Sequence, residues 1–145
     1  MSHPSIGGAH YFLLFKDECT SYRIAYFIKH KSDAFSRFIQ FQNLSEKQTG
    51  NKLKRIRNDR GLEFNNEQFK KHIQKEGIIH EFSAPYSPEQ NGSIERENRS
   101  IVEAARTMLY AAKLQPGLWT EAVNTSVYLL NRRPRELDKQ IPFEL

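Results

Sequence analysis

Cysteine is nearly absent from this chain: Cys19 is the only one in 145 residues. A lone thiol can form no internal disulfide and cannot anchor a thiolate zinc site, so the secreted disulfide scaffolds are excluded. Long hydrophobic runs are missing too. The longest near the start, Tyr11 to Phe15, is five residues and ends at Lys16 and Asp17. That is far short of a signal-peptide core or of the roughly 20 apolar residues that cross a bilayer. The sequence also has no internal repeat, no low-complexity tract and no linker long enough to divide it. The expected setting is intracellular, with no membrane contact.

What is present describes a folded domain. Hydrophobic residues make up 38% of the chain and charged residues 27%, a balance that supports a core rather than bulk disorder. Lys and Arg number 22 against 17 Asp and Glu, a net charge of +5 that tilts the surface toward polyanionic partners. At 145 residues one domain is expected.

The pattern reads as strands followed by helices. Tyr11 to Phe15 and Tyr22 to Ile28 are strand-like and separated by Thr20-Ser21, which predicts a hairpin. Ser32 is placed to cap a helix carrying Phe35, Phe38 and Ile39 and stopped by Gly50. Lys52 to Arg57 reads as a short strand ending at Asn58-Asp59-Arg60-Gly61. Asn65, with Gln68 three residues on, predicts the start of a helix to Glu76, stopped by Gly77 before a strand over Ile78 to Phe82. Ser83 to Gly92 holds two prolines and an Asn-Gly and reads as a loop. From Ser93 a 3.6-residue period through Ile94, Ile101, Ala105, Met108 and Ala112 predicts a long amphipathic helix presenting Glu95 in its first turn. A last helix carries Leu118, Trp119, Ala122, Val123, Ser126, Val127 and Leu130 and ends before Pro134.

Two carboxylates stand out. Asp59 is expected at the carboxyl end of a strand, where open α/β sheets place their ligands, and Glu95 on a rigid helix after a loop. Converging, they would offer a hard divalent cation the oxygen ligands that metal-assisted phosphodiester chemistry needs. For an arbitrary pair the bland alternative prevails: Asp59 closes a turn, and Glu95 pairs with Arg99 at i+4 on a solvated face. The five histidines show no ligand spacing.

The neighbourhood decides between these readings. Asn58-Asp59-Arg60-Gly61-Leu62-Glu63-Phe64, and the segment from Ala84-Pro85-Tyr86-Ser87-Pro88 through Asn91-Gly92-Ser93-Ile94-Glu95-Arg96-Glu97-Asn98-Arg99, resemble the integrase catalytic core of retroviruses and long-terminal-repeat retrotransposons, the Copia type above all. Gly7 to Asp17 and Trp119 to Pro134 extend the resemblance over nearly the whole chain.

The resemblance implies a ribonuclease-H-like α/β fold, a mixed sheet of five strands flanked by helices, with an Asp, Asp, Glu set holding two Mg²⁺ or Mn²⁺ ions. It implies two in-line displacements: water trims the element's DNA ends, and the freed 3′-hydroxyl attacks target DNA. Asp59 matches the second carboxylate and Glu95 the third. Arg99 matches a basic position used on DNA ends. Arg96, Lys54 and the loop residues Asn91 and Gly92 are the further DNA-contact candidates, and Gly92 is read as a source of loop flexibility. DNA is the implied partner, with self-association, no small-molecule substrate and a nuclear location when functional.

In that family the first Asp precedes the segment matching Met1 to Gly8. The expectation is therefore a core spanning residues 1–135, without the family's first strand, followed by the start of a linker at 136–145. Asp17 matches a non-catalytic position. A chain missing the first carboxylate and a central strand is expected to be marginally stable and to lack strand transfer by itself. The alternative is a non-catalytic nucleic-acid or protein-interaction module derived from a decayed element.

Overall fold

The computed structural model describes residues 4–5, 7–58, 66–82, 88–135 and 138–144. Two compact units are present: residues 1–30 with 97–145, and residues 31–96.

In the first unit β1 (Tyr11–Lys16) and β2 (Arg23–Ile28) form the expected antiparallel hairpin, in a register that sets Phe12 opposite Phe27 and Leu14 opposite Ala25. Directly opposed residues share a face of the ladder, so these four side chains form one apolar surface. That surface packs on a core of Ile101, Ala105, Trp119, Ala122, Val123 and Val127. Phe15 and Tyr26, on the other face, pack edge-on at 5.7 Å and are partly exposed. Asp17 closes the hairpin: its Oδ1 accepts from the Cys19 amide at 3.0 Å and its Oδ2 from the Thr20 hydroxyl at 3.1 Å. Ser21 takes the left-handed conformation that such a turn requires, with φ of 64°.

The core helices of this unit are the later part of α3 (Pro88–Ala111) and all of α4 (Trp119–Arg132). On α4, Trp119, Ala122, Val123, Ser126 and Val127 are buried, the stripe that the period predicts. The Trp119 ring meets Phe27 edge-on at 5.8 Å. A 3₁₀ turn, Pro142–Glu144, lies beyond the expected end of the core. There the Arg132 guanidinium sits over the Tyr128 ring at 3.6 Å and the Phe143 ring at 4.2 Å, which holds the turn against α4.

The second unit runs α1 (Ala34–Thr49), β3 (Arg55–Asn58), α2 (Glu67–Glu76) and β4 (Ile79–Phe82). β3 and β4 are parallel, with Asn58 opposite Phe82. The core is aromatic: Phe38 and Phe69 are both buried, with ring centroids 5.2 Å apart, and Phe69 meets His80 at the same separation. Gly50 and Gly77 stop their helices in the left-handed conformation, at φ of 73° and 69°.

Three expectations are corrected. Ser32 does not cap α1. It lies inside a 3₁₀ turn, Lys31–Asp33, and Asp33 takes the cap position without a side-chain bond. The cap of α2 is Asn66, whose Oδ1 accepts from the Phe69 amide at 2.8 Å; the position of Asn65 lies outside the described residues. The strand before Asn58 begins at Arg55 rather than Lys52.

The expectation for this chain is the mixed sheet without the family's first strand, and the four strands of the described residues make two two-stranded ladders, antiparallel β1 with β2 and parallel β3 with β4.

Candidate active site and nucleic-acid interface

β3 is short because only Arg55 to Asn58 finds ladder partners on β4, and it ends one residue before Asp59. Since β3 and β4 are parallel, both terminate on the same edge of their ladder, where a ligand site is expected. Asp59 itself lies outside the described residues. Glu95 lies in α3, though not in its first turn as the sequence suggested. The helix begins at Pro88, so position 95 falls about two turns in, roughly 10 Å along the axis.

The reason is the start of α3. Pro88 has a fixed φ compatible with helix and lacks only an N–H that the first turn leaves unpaired in any case. Residues 88–92 are therefore helical, and the predicted loop cannot extend to Gly92. Asn91 and Gly92, taken as loop residues supplying flexibility, are backbone positions within a helix of 24 residues. A helical glycine costs about 1 kcal/mol relative to alanine, less than the continuation of a helix that packs onward into a core recovers.

The basic candidates separate by environment. Arg96 and Arg99 are exposed on α3. Lys54 is exposed just before β3, where its carbonyl accepts from the Ile79 amide at 2.9 Å. Arg55 and Arg57, beside Lys54 in sequence, both face Glu81 across the ladder, at 3.3 and 3.1 Å. Their charge is partly neutralised, so this basic run is not a uniformly solvated face. Arg132 is stacked between Tyr128 and Phe143, and Arg135 is paired with Asp138. Arg132 and Arg135 thus serve packing at the end of the chain.

Sequence reasoning missed Glu97. Its carboxylate accepts from Lys16 at 3.3 Å and is paired with Arg23 through the other oxygen. Glu97 lies three residues after Ile94 and four before Ile101, at the flank of the apolar stripe, and nothing local in the sequence names its partners.

Among the described residues no group of three His, Cys, Asp or Glu is arranged to hold a metal. The pair assigned from sequence is all carboxylate. Such a donor set suits Mg²⁺ or Mn²⁺ and not a soft or imidazole-seeking metal. No described helix is long and apolar enough to cross a membrane.

The fold is that of retroviral integrase catalytic cores, the ribonuclease-H-like class. The catalytic core domain of HTLV-2 integrase, solved in complex with magnesium in a trimeric form, matches with a TM-score of 0.62 at 18% identity, over 92% of this chain and 90% of that one. A simian T-cell lymphotropic virus intasome chain matches with a TM-score of 0.71 at 18% identity, over 92% of this chain and 47% of that one. No protein-family model matches the chain.

In sequence, the retrovirus-related Pol polyprotein from transposon TNT 1-94 of Nicotiana tabacum is 43% identical over 134 residues, which is 92% of this chain and 10% of that protein. The corresponding polyprotein from transposon RE2 of Arabidopsis thaliana is 36% identical over 97% of this chain and 10% of its own length. The chain belongs to the integrase catalytic cores of Copia-type long-terminal-repeat retrotransposons, and it spans about a tenth of the length of the Pol polyproteins it matches.

Proposed function

We propose that the chain is the part of a transposon integrase that supplies two of its metal-binding carboxylates, Asp59 and Glu95, and acts in DNA integration within a longer polyprotein. The observation that supports this reading most is the alignment along nearly the whole chain with Pol polyproteins, combined with a fold shared with integrase cores. In it, Asp59 follows the carboxyl edge of the β3–β4 ladder, and Glu95 rides on α3.

A divalent ion held by Asp59 and Glu95 would polarise a phosphodiester and favour deprotonation of the attacking hydroxyl. The chain's own contribution is to carry Glu95 on α3, with Asp59 next in sequence after β3, and to place Arg96 and Arg99, both exposed, within two turns of position 95. Self-association and nuclear action on DNA belong to the same reading.

Mn²⁺ binding followed by electron paramagnetic resonance tests this. Asp59→Asn and Glu95→Gln are each expected to weaken binding at least tenfold while circular dichroism and the melting midpoint stay at their wild-type values. Wild-type chain that binds no Mn²⁺, or binds it as well after both substitutions, overturns the assignment.

A further inference from the structure

We infer that the outer face of α3, from Arg99 through Arg106 and Tyr110 to Lys113, is a docking track for an unpaired DNA strand, with the cations on its phosphates and the Tyr110 ring against a base. The inference goes beyond the carboxylate reading and uses neither Asp59 nor Glu95.

Successive residues of an α-helix are about 100° apart, so positions 99, 106 and 110 fall within roughly 40° of one another around the α3 axis. Ile101 and Ala105, which seat this part of α3 in the core at 1% and 0% exposure, lie on the opposite side. Arg99, Arg106 and Tyr110 are accordingly exposed. Positions 99 and 110 are about 16 Å apart along the axis, the length of about five nucleotides at the 3.4 Å rise of one strand. Beyond Ala111 the chain turns through a left-handed Lys113, with φ of 55°, whose amide donates to the Tyr110 carbonyl at 3.2 Å. That turn keeps a further exposed cation within one turn of position 110.

The cations of this face are unengaged. Elsewhere in the same unit Arg23 pairs with Glu97, Arg135 pairs with Asp138, and Arg132 stacks on Tyr128 and Phe143. Arg99, Arg106 and Lys113 have no carboxylate partner among the described residues. Glu103, exposed between the two arginines, pairs with neither, so the face keeps an excess of positive charge.

The ring is a separate observation. Tyr110 is 88% exposed, more than any other large hydrophobic residue described. Tyr128 and Phe143, each 55% exposed, lie under the Arg132 guanidinium, whereas Tyr110 has no ring or guanidinium contact among the described residues. Proteins that bind unpaired strands combine these two features: basic side chains follow the backbone, and an open aromatic face takes a base. A duplex keeps its bases stacked on one another and offers the same face only phosphates, so it engages the cations and leaves the ring unused.

The test is fluorescence anisotropy of the 145-residue chain with a labelled oligothymidylate of about 15 nucleotides and with a duplex of the same length, over a range of salt. Tyr110→Ala and Tyr110→Leu are each expected to weaken the single strand about tenfold, to leave the duplex within about twofold and to keep the wild-type melting midpoint. Tyr110→Phe, which keeps the ring face, is expected to bind the single strand as wild type does. Arg106→Ala should reduce the slope of log affinity against log salt on the single strand by about 0.7.

A Tyr110→Leu chain that binds the single strand as tightly as wild type overturns the inference, as does an equal loss on the duplex. Wild-type chain that binds no oligothymidylate overturns it as well. Polyglutamate of matched charge that competes as effectively as the oligothymidylate reduces the face to a general polyanion site and defeats the claim for a nucleic-acid strand. Mn²⁺ binding decides the carboxylate reading independently, because none of these variants touches Asp59 or Glu95.

Discussion

Asn131, near the end of α4, holds both backbone groups of Arg23 at the first position of β2: its Nδ2 donates to the Arg23 carbonyl and its Oδ1 accepts from the Arg23 amide, each at 2.8 Å. The carboxamide thus acts as a one-residue continuation of the ladder, on residues 108 apart in sequence. Asn131 is 4% exposed, so neither bond is exchanged with bulk water at low cost. Asn131→Leu, close in size and without polar atoms, is expected to lower stability by about 2–4 kcal/mol, because it strands an amide and a carbonyl together. Urea unfolding of the two proteins measures it, and a difference below about 1 kcal/mol would show that water replaces the carboxamide.

Trp119 and Leu129 lie on the same helix with opposite surroundings, 1% and 53% exposed. Trp119→Ala is expected to cost about 3–5 kcal/mol, since it empties the site where α4 meets Phe27. Leu129→Ala should stay within about 0.5 kcal/mol. Equal melting midpoints for the two variants would mean that α4 does not seat through Trp119.

Burial against Phe69 pushes the His80 imidazole below its usual value. The unfolded chain then binds the proton more readily than the folded one, so stability is present above about pH 6.5 and falls as the pH drops through and below that value. His80→Phe keeps an aromatic ring beside Phe69 and removes the titration. Melting midpoints between pH 8 and pH 5 should fall less in the variant than in the wild type.

Glu46 is shifted downward by the Leu53 amide first, which donates to its Oε1 at 3.0 Å, and then by the Gln42 side chain. A depressed carboxyl contributes stability above the ordinary carboxylate range and loses it as the pH falls through its folded value. Glu46→Gln should therefore melt at a lower temperature than wild type at pH 7. The two curves should converge in acid, below about pH 4. A gap that persists there would assign the effect to packing rather than charge.

Arg99 and Arg132 give opposite expectations on DNA. Arg99→Ala should reduce the slope of log affinity against log salt by about 0.9, similarly for unrelated duplexes, as the loss of one phosphate contact requires. Arg132→Ala should leave that slope unchanged and lower the melting midpoint, because its guanidinium is stacked on Tyr128 and Phe143. Filter binding from low to moderate salt separates the two.

The sequence by itself determined most of the elements and the family. Strand-length apolar runs and 3.6-residue stripes report hydrogen-bond period and buried face, and Gly50 and Gly77 mark stops that few other residues allow. The segments around Asp59 and Glu95 marked the carboxylate positions by resemblance. Tertiary structure decided what each polar side chain does. Pro88 to Gly92 reads as a breaker-rich loop until the helix is seen to start at the proline. Arg132 is, in sequence, one basic residue at the end of a helix until its guanidinium is seen over the Tyr128 and Phe143 rings. For Glu97 and Asn131 nothing local names the partner, since Arg23 is 74 and 108 residues away, and a pairing at that distance is encoded only in how α3 and α4 pack against the hairpin.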